Sequence, residues 1–383
     1  MWEGLQDRPT VAEIDLASIG HNIGAIRRRI GPRPEIMAVV KADGYGHGAI
    51  QVATTALTSG ATWLGVALVE EGIALRRSGI IAPILVLGQL FPGQARRALR
   101  YSLSCTVSTY DFAEALSVAA TQEGKKGKCH VKVDTGMGRI GVPPRQVTSF
   151  VKRVAMLPNV EVEGIFTHFA AADLDDKTYA REQLTRFINV VEALRKAGVE
   201  IQFRHAANSA ACVDMPEAWL NLVRPGIIIY GLSPFSTQRF QQVKKEMDLR
   251  PALSLKTKVC FVKRALAGTP VSYGATYTTK EESVIATLPI GYADGLSRGL
   301  SNRGEVIIRE RRLPIVGRVC MDQCMVDGGD LDIEVGDEAV LIGTQGRETI
   351  TAEEVADKLG TISYEVVCAI SKRVPRVYLS SQA

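Results

Sequence analysis

Lys41 stands at a position where an amine could form a bond. It follows the apolar run from Ile36 to Val40, whose composition is typical of a buried strand. The loop "ADGYGHG", with its three glycines, a tyrosine and a histidine, comes directly after it. Burying an ammonium group without a partner is costly, whereas a neutral amine in the same position can act as a nucleophile. The sequence therefore predicts a reactive lysine, and the alternative is a lysine that extends to solvent beside a tight turn.

Other residues capable of chemistry follow later strand-like runs. Each is weak alone, because a histidine at a strand end is usually structural and "DTGMGR" at 134–139 is usually only a turn. Together they supply two arginines and a cluster of serine, glycine and backbone amides of the size of a phosphate group. They are Arg139, His168, His205 with Asn208 and Ser209, and Arg224 beside Gly226.

Eight strand-like runs must position these residues. Amphipathic helical patterns, such as 70–78, 111–122 and 177–196, lie between them. This alternation predicts a (β/α)8 TIM-type barrel, in which site residues lie at the C-terminal ends of the strands. A doubly wound sheet is the alternative, but a regular run of eight units favours closure. The predicted strands are 36–41, 63–68, 84–88, 104–108, 130–135, 162–168, 204–208 and 227–230.

The chain after residue 250 has a different pattern. Strand-like runs lie at 254–262, 283–289, 305–308, 316–325 and 339–342, and the next helical pattern is at 351–359. This predicts a mainly β C-terminal domain of ordinary size. The predicted boundaries are 12–245 for the barrel and 246–383 for the β-rich domain, which residues 1–11 could join. A strand-like piece at 11–16 could belong to either domain.

The positions of the lysine and of the phosphate-sized cluster suggest a cofactor. Lys41 ends the first predicted barrel strand, whereas Ser209 and Gly226 follow the last part of the barrel. A phosphorylated aldehyde lying across the barrel mouth, held as a Schiff base to Lys41, would satisfy both ends. That cofactor is pyridoxal 5'-phosphate (PLP). On this interpretation the glycines after Lys41 leave room for the cofactor.

Composition excludes several other classes of protein. The chain has 383 residues, 46% hydrophobic and 23% charged, as in a soluble globular protein. Its net charge of +5 is too mild to indicate nucleic-acid binding. The longest apolar stretch, at 80–91, is interrupted by Pro83 and Gly88 and is too short to span a membrane. Seven scattered cysteines and a polar start without a secretory signal predict a cytoplasmic protein, and no cysteine spacing indicates a metal.

Nine short motifs lie between residues 38 and 378, and the resemblance that they carry runs from about residue 10 to residue 379. They are "AVVKADGYGHG", "VKVDTGMGRIG", "THFAAAD", "HAANSAA", "LVRPGIIIYG", "VSYGATY", "LPIGYADG", "GRVCMDQCMVD" and "YEVVCAISKRVPRVY". In this order they resemble the motifs of the alanine racemase family, and the set is far more specific than any one member. The resemblance implies a PLP-dependent homodimer that converts L-alanine to D-alanine for bacterial cell-wall peptidoglycan. It also implies a barrel domain followed by a β domain, with active sites shared between subunits.

The resemblance implies a chemical role for four residues. Lys41 resembles the lysine that carries the cofactor and acts as one proton-transfer base. Tyr273 resembles the opposite base, which reaches the site from the other subunit. Arg224 matches the arginine that faces the pyridine nitrogen, and His168 matches the residue that links this arginine to the tyrosine.

The other matching residues are implied to bind ligands. Arg139 and the backbone of Met321 match the groups that hold the substrate carboxylate. Lys132 matches a lysine that is often carbamylated and then fixes Arg139. The residues that resemble phosphate ligands are Tyr45, Ser209, Gly226, Ile227 and Tyr364. The residues that resemble those at the site entrance are Tyr292, Tyr364, Cys320 and Asp322.

The chemistry of racemisation supports these roles. One base cannot easily reach both faces of a planar carbanion, so two bases on opposite sides of the cofactor are needed. Lysine and tyrosine have ordinary pKa values of about 10, and each must be lowered toward the working pH. Burial lowers the pKa of an amine, but a phenol needs nearby positive charge, such as Arg224 relayed through His168. Arginine keeps its proton, so the ring becomes a weaker electron sink and side reactions are limited.

Three alternative functions stay open on the sequence. An amino-acid decarboxylase of the same architecture would need a carboxylate at the pyridine nitrogen, which Arg224 disfavours. A racemase of broader specificity that works in the periplasm would carry a signal peptide. A non-catalytic PLP-binding regulator built on the barrel alone would need neither the β domain nor Tyr273.

Overall fold

The computed structural model describes residues 8–235 and 237–379, which pack into two compact units. One unit comprises Ser18–Gly44 and Ala49–Arg250. The other comprises residues 8–17, Tyr45–Gly48 and residues 251–379. The predicted boundaries, 12–245 and 246–383, stay predictions for domains that fold independently, because packing into compact units does not test independent folding.

Eight parallel strands form the first unit's sheet. The chain begins with β1 (Val11–Asp15), which lies in the other unit, and α1 (Leu16–Ile30). The barrel strands are β2 (Glu35–Val39), β3 (Trp63–Val66), β4 (Ile84–Val86), β5 (Ser104–Val107), β6 (Gly127–Lys132), β7 (Val160–Phe166), β8 (Phe203–His205) and β9 (Leu222–Val223). Their hydrogen-bonded order is β8-β7-β6-β5-β4-β3-β2-β9, so the last strand pairs with the first. The predicted (β/α)8 barrel is confirmed.

Hydrogen bonds of residues in and beside the strands join β8 to β9, the two ends of this order. The backbone N–H of Arg204 donates to Asn221 Oδ1 at 2.7 Å. The N–H of Arg224 donates to the carbonyl oxygen of Ala207 at 3.0 Å. The barrel is therefore completed by loop residues, one of which is a predicted site residue.

Helices alternate with these strands and cover the barrel. They are α2 (Lys41–Tyr45), a single turn, then α3 (Ala49–Thr58), α4 (Val69–Arg77), α5 (Ala95–Arg100), α6 (Tyr110–Gln122), α7 (Pro144–Ala155), α8 (Thr178–Lys196), α9 (Ser209–Asp214) and α10 (Thr237–Met247). In α8 the buried residues recur every three or four positions, for example Leu184, Phe187 and Leu194, as expected of an amphipathic helix. Strand side chains pack as a cluster of Met37, Trp63, Leu85, Phe203 and Leu222.

The prediction for the eighth barrel strand is wrong. Residues 227–230 form a 3₁₀ helix, Ile227–Tyr230, and the strand is the preceding pair Leu222–Val223. All four residues of this 3₁₀ helix are fully buried. A continuous apolar run has no alternation, so its pattern does not separate a buried strand from a buried helical turn.

The second unit contains a ten-stranded sheet. Its strand order is β11-β14-β17-β16-β15-β18-β10-β1-β20, with β19 paired to β18. The strands after β9 are β10 (Leu253–Lys258), β11 (Phe261–Ala265), β12 (Pro270–Val271), β13 (Tyr277–Thr278), β14 (Ser283–Leu288), β15 (Glu305–Ile308), β16 (Arg311–Val316), β17 (Cys324–Asp327), β18 (Glu338–Gln345), β19 (Glu348–Ile350) and β20 (Arg376–Leu379). Two helices, α11 (Ala352–Leu359) and α12 (Ser363–Cys368), precede β20. The predicted mainly β C-terminal domain is confirmed, and β1 belongs to its sheet.

One predicted strand of this unit, 316–325, is in fact two strands joined by a loop. β16 ends at Val316 and β17 begins at Cys324, so Met321 lies in the loop between them. The loop starts at Gly317, which has a φ of +70° and would contact the Ser272 side chain if it carried a Cβ. Likewise, the predicted strand 254–262 is divided between β10 and β11. Among the described residues, no helix has both the length and the apolar character that crossing a membrane requires.

Candidate active site

The ends of the barrel strands bring the predicted site residues together. Lys41 lies two residues after β2, Lys132 is the last residue of β6, and His168 lies two residues after β7. Arg224 comes directly after β9. Because the strands are parallel, these residues share the C-terminal mouth of the barrel, where barrel enzymes carry their active sites.

Two of the glycines after Lys41 have a packing role. A Cβ at Gly46 would overlap the carbonyl oxygen of Val367, and a Cβ at Gly48 would overlap the hydroxyl of Tyr378. Both glycines also have positive φ angles, +81° and +93°. They therefore allow the chain segments around residues 367 and 378 to approach closely. That these glycines leave room for a cofactor stays a prediction.

Arg224 is a buried cation held by several acceptors. Its side chain is only 4% exposed. Nη2 donates to the carbonyl oxygens of Thr167 at 2.7 Å and Ala206 at 3.1 Å, and it lies 3.4 Å from His168 Nδ1. Nη1 donates to His205 Nδ1 at 2.9 Å. Burial lowers the pKa of Arg224 to about 10, so the guanidinium keeps its charge at neutral pH.

Hydrogen bonds from Arg224 continue through two buried histidines to Glu163. His205 Nε2 lies 2.8 Å from His130 Nδ1, and His130 Nε2 lies 3.3 Å from Glu163 Oε1. Since Arg224 can only donate, His205 Nδ1 must accept and its Nε2 must carry the hydrogen. The same reasoning assigns the hydrogen of His130 to Nε2. Every hydrogen bond in this series is therefore donated in the direction from Arg224 toward Glu163.

The pKa values in this chain agree with that assignment. Burial lowers the pKa of His130, and burial together with the charge of Arg224 lowers the pKa of His205 well below its usual value. Burial opposes ionisation of Glu163, but hydrogen bonds from His130, Ser104 and Lys128 lower the net pKa of its carboxyl group. A neutral pair of histidines thus separates a guanidinium from a carboxylate.

A second group of titratable residues lies near Arg224. Burial lowers the pKa of Lys132 well below its usual value, and the charges of Arg224 and Arg139 lower it further. The pKa of His168 is also lowered well below its usual value, first by burial and then by the charges of Lys132, Arg224, Arg139 and Lys41. The predicted site residues of the barrel are therefore electrostatic neighbours. The relay of the Arg224 charge through His168 stays a prediction.

Arg139 is presented by a well-formed turn. Asp134 Oδ1 accepts the backbone N–H groups of Gly136 and Gly138, both at 3.0 Å, which shapes the segment before the arginine. The side chain of Arg139 is exposed and makes no hydrogen bond to the described residues. A guanidinium presented in this way can bind a carboxylate through two parallel hydrogen bonds.

The predicted phosphate ligands fall into two groups. In the barrel unit, the N–H of Gly226 donates to Ser209 Oγ at 2.8 Å, and Ile227 follows directly. In the other unit, the rings of Tyr45 and Tyr364 lie with centroids 6.0 Å apart. Hydroxyl and backbone N–H groups of this kind are suited to phosphate oxygens.

Three predicted site residues are exposed on the β-rich unit. Tyr273 is 73% exposed, Met321 53% and Tyr292 43%. The loops that carry Tyr292 and Met321 are joined by backbone hydrogen bonds, from Tyr292 N–H to Cys320 O and from Ala293 N–H to Met321 O, both at 3.0 Å. The backbones of the two loops are therefore fixed relative to each other.

An ion-pair network also links these loops. Buried Asp294 lies 3.5 Å from Arg373 Nε, and Arg373 Nη2 binds Asp322 Oδ1 at 2.8 Å. Asp294 Oδ1 also lies 2.7 Å from Arg8 Nη2, at an angle too poor for a hydrogen bond. The network connects the loop of Tyr292 to the loop that contains Asp322.

Sequence reasoning missed His130, Glu163 and Arg373 as supporting residues. His130 lies in β6 beside Cys129. Glu163 stands in the run "VEVEGIF", where a carboxylate within an otherwise apolar strand end was a usable signal for a buried polar partner. Nothing in the sequence indicated that these two would meet, because their contact depends on strand register. No group of three potential metal ligands is found within residues 8–235 and 237–379.

We predict that acid weakens the fold through the three neutral histidines, His130, His168 and His205. Their folded-state pKa values are lowered, so below about pH 6.5 the unfolded chain binds more protons than the folded one. Between pH 7.5 and 5.5 each contributes up to about 1.4 kcal/mol in total to the loss of unfolding free energy, because the unfolded histidine gains its proton around pH 6.5. His130→Gln keeps an acceptor and a donor and should reduce the loss over this interval, and with it the slope, by up to about that amount. Urea unfolding between pH 7.5 and 5.5 measures this, and an unchanged slope would contradict the neutral assignment.

Comparisons with known proteins agree with the architecture. The family model for the alanine racemase N-terminal domain matches residues 14–234, and the model for the alanine racemase C-terminal domain matches residues 252–378. Alanine racemase of Symbiobacterium thermophilum is 52% identical over 372 residues, covering 97% of this chain and 97% of that protein. Alanine racemase of Halothermothrix orenii is 48% identical over 372 residues, with the same coverage of both chains.

A solved structure extends this similarity to three dimensions. The alanine racemase of Clostridium difficile 630 superposes with a TM-score of 0.93 at 40% sequence identity, covering 99% of this chain and 97% of that chain. Two family models, whole-length relatives and a matching structure thus agree with one another and with the observed architecture. The chain belongs to the alanine racemase family.

Proposed function

We propose that this protein interconverts L- and D-alanine with PLP, using Lys41 and Tyr273 of the partner subunit as the two bases. The observation that carries the proposal is the buried Arg224 cation, because its Nε–H and one Nη1 hydrogen have no acceptor among the described residues. A pyridine nitrogen, which only accepts, suits these donors. A decarboxylase of this architecture would need a carboxylate here.

The residues of the barrel mouth fit the cofactor. Lys41 offers an amine, Ser209 offers a hydroxyl for a phosphate while its oxygen accepts the Gly226 N–H, and Arg224 offers the ring-nitrogen contact. When bound, PLP supplies an electron-withdrawing ring that weakens the Cα–H bond of the substrate. Arg224 donates a hydrogen bond without giving up its proton, so the ring withdraws electrons moderately and transamination is limited.

Tyr45, Ile227 and Tyr364 complete the proposed phosphate site. The resemblance to alanine racemases suggests these roles, and the pairing of the Tyr45 and Tyr364 rings supports a joint one. Tyr364 and Tyr292 would also narrow the entrance for the substrate. A small amino acid such as alanine suits a narrow entrance.

The substrate carboxylate is proposed to bind Arg139 and the backbone of Met321. Arg139 is exposed at the barrel mouth. Lys132, whose lowered pKa leaves its amine neutral more often, is suited to carbamylation, since carbon dioxide reacts with a neutral amine. A carbamate there would place a negative charge near Arg139, orienting its guanidinium.

A homodimer with shared sites explains the exposure of Tyr273. A base that acts only within its own subunit would be expected to lie against its own barrel, yet Tyr273 is 73% exposed. Phe261 and Leu266 of the same unit are 55% and 70% exposed. Exposed aromatic and apolar side chains are typical of surfaces that bind another protein. Tyr273 of one subunit would then approach the cofactor on the face opposite Lys41 of the other.

We also propose that the enzyme works in the cytoplasm and supplies D-alanine for peptidoglycan. The resemblance to alanine racemases is the support for the peptidoglycan role. All seven cysteines are free thiols, which supports a reducing compartment. No partner of nucleic-acid or membrane type is proposed.

The direct test of the function is turnover with mapping of the cofactor. We expect the purified protein to convert L-alanine to D-alanine, measured by chiral chromatography across a panel of L-amino acids. Borohydride should fix PLP to the peptide that contains Lys41, and Lys41→Ala should lose that label. A label on another lysine, or no D-alanine, would refute the assignment.

A mixed dimer tests the shared site. Lys41→Ala and Tyr273→Phe should each be nearly inactive, because each removes one of two required bases. In a mixed dimer, one site carries both lesions and the other is intact, so activity should return to about half the wild-type level per dimer. Both variants must first be shown to fold and to dimerise. Isolated mixed dimers that stay as inactive as the parents would show that Tyr273 does not act across the interface.

A further inference from the structure

The turn that follows Lys41 has a strained backbone. Ala42 (φ 53°, ψ 48°), Asp43 (φ 53°, ψ 50°) and Gly44 (φ 61°, ψ 44°) are consecutive left-handed residues, and Tyr45 continues the series with a φ of 52°. Residues with a Cβ are each disfavoured about 5- to 30-fold in this conformation. Only Gly44 adopts it without strain. Such strain persists only where the surrounding structure enforces it.

Packing does not enforce the start of this turn. The side chains of Ala42 and Asp43 are exposed, so neither is held by a core. Hydrogen bonds are what hold it. The N–H of Gly44 donates to Val40 O at 2.9 Å, and Asp43 Oδ1 accepts the N–H of Ala49 at 2.9 Å. The N–H of Ala42 itself donates to Glu71 Oε1 at 2.7 Å.

Glu71 ties this turn to the next strand–helix unit of the barrel. Its second oxygen, Oε2, accepts the N–H of Ala67 at 2.7 Å and the N–H of Leu68 at 3.1 Å, just before α4. Both carboxylate oxygens are thus occupied by backbone donors. Hydrogen bonds from N–H groups to a carboxylate are about twice as strong as neutral ones.

We propose that Glu71 is a positioning residue for Lys41, which holds the left-handed turn and thereby the direction of the lysine side chain. Lys41 lies between two fixed points. Before it, the N–H of Val40 donates to Gly65 O at 2.8 Å, and after it stands the bond from Ala42 to Glu71. If Ala42 leaves the left-handed region, the backbone of Lys41 rotates and its amine moves. The inference rests on the proposed function, in which Lys41 carries the cofactor.

The test measures attachment of PLP instead of turnover. The protein is freed of cofactor and incubated with increasing PLP. Borohydride then reduces the bond formed when the Lys41 amine and the aldehyde lose water, and mass spectrometry gives the labelled fraction of the Lys41 peptide. Glu71→Ala should raise the PLP concentration for half-labelling about 5- to 30-fold, because this is the factor by which one residue with a Cβ is disfavoured in the left-handed conformation. Glu71→Gln, which keeps the shape but cannot accept with both ends, should lie between wild type and Glu71→Ala.

Two further variants separate positioning from general damage. Glu70→Ala changes the residue next to Glu71 in α4. Because Glu70 is exposed and pairs with exposed Arg97, this variant should be labelled as wild type is. Ala42→Gly relieves strain at the residue that Glu71 holds, because glycine adopts left-handed dihedral angles readily. Added to Glu71→Ala, it should recover at least half of the loss on a logarithmic scale. If Glu71→Ala instead lowered labelling by disrupting the start of α4, Ala42→Gly would not recover the labelling.

The outcomes distinguish this inference from the proposed function. If wild-type label falls on a lysine other than Lys41, the proposed function fails. If Lys41 is labelled and Glu71→Ala labels as wild type does, the positioning role is wrong and the function stands. If Glu71→Ala loses labelling and Ala42→Gly recovers none of it, the positioning role is also wrong. If Glu71→Ala does not fold, Glu71→Gln takes its place in the test. Labelling of Glu71→Gln at the wild-type level would then overturn the inference. So would a loss of labelling in Glu71→Gln that the added Ala42→Gly does not recover.

Discussion

The buried charge of Arg224 is the constraint on which the rest of the site depends. The residue follows β9, yet its guanidinium donates to carbonyl oxygens just beyond β7 and β8, at Thr167 and Ala206. It therefore connects the two ends of the barrel sheet where they meet. Arginine suits this position because its pKa stays at about 10 even when buried. A lysine in the same place would lose its proton more readily and lacks the planar fork of five donors that arginine presents.

That charge acts on the groups around it. Burial lowers the pKa values of His205, His168 and Lys132, and the charge of Arg224 lowers them further. Neutral histidines can then donate in one direction, from Arg224 to Glu163. Several basic groups and few acids meet at the barrel mouth, which supports an anionic cofactor and an anionic substrate.

The sequence allowed the barrel, the β-rich domain and most candidate site residues to be predicted, because strand ends and short motifs are local features. Lys41 and Arg224 could be found in this way. Contacts between distant segments could not be predicted. The pairing of His130 with Glu163 depends on strand register, and the bond from Ala42 to Glu71 depends on a left-handed turn that few sequences specify. The eighth strand was misplaced because the run from Ile227 to Tyr230 is apolar without alternation.

The protonation states of the two buried histidines test the central claim most directly. Nitrogen-15 NMR of histidine-labelled enzyme with PLP bound reports both the charge and the tautomer of each imidazole ring. Our account predicts that His205 and His130 are neutral at pH 7, each with its hydrogen on Nε2, because Arg224 keeps its own proton and donates. A charged His205 ring, or a hydrogen on its Nδ1, would contradict the account, since Arg224 would then face a donor and could not be the cation that organises the site.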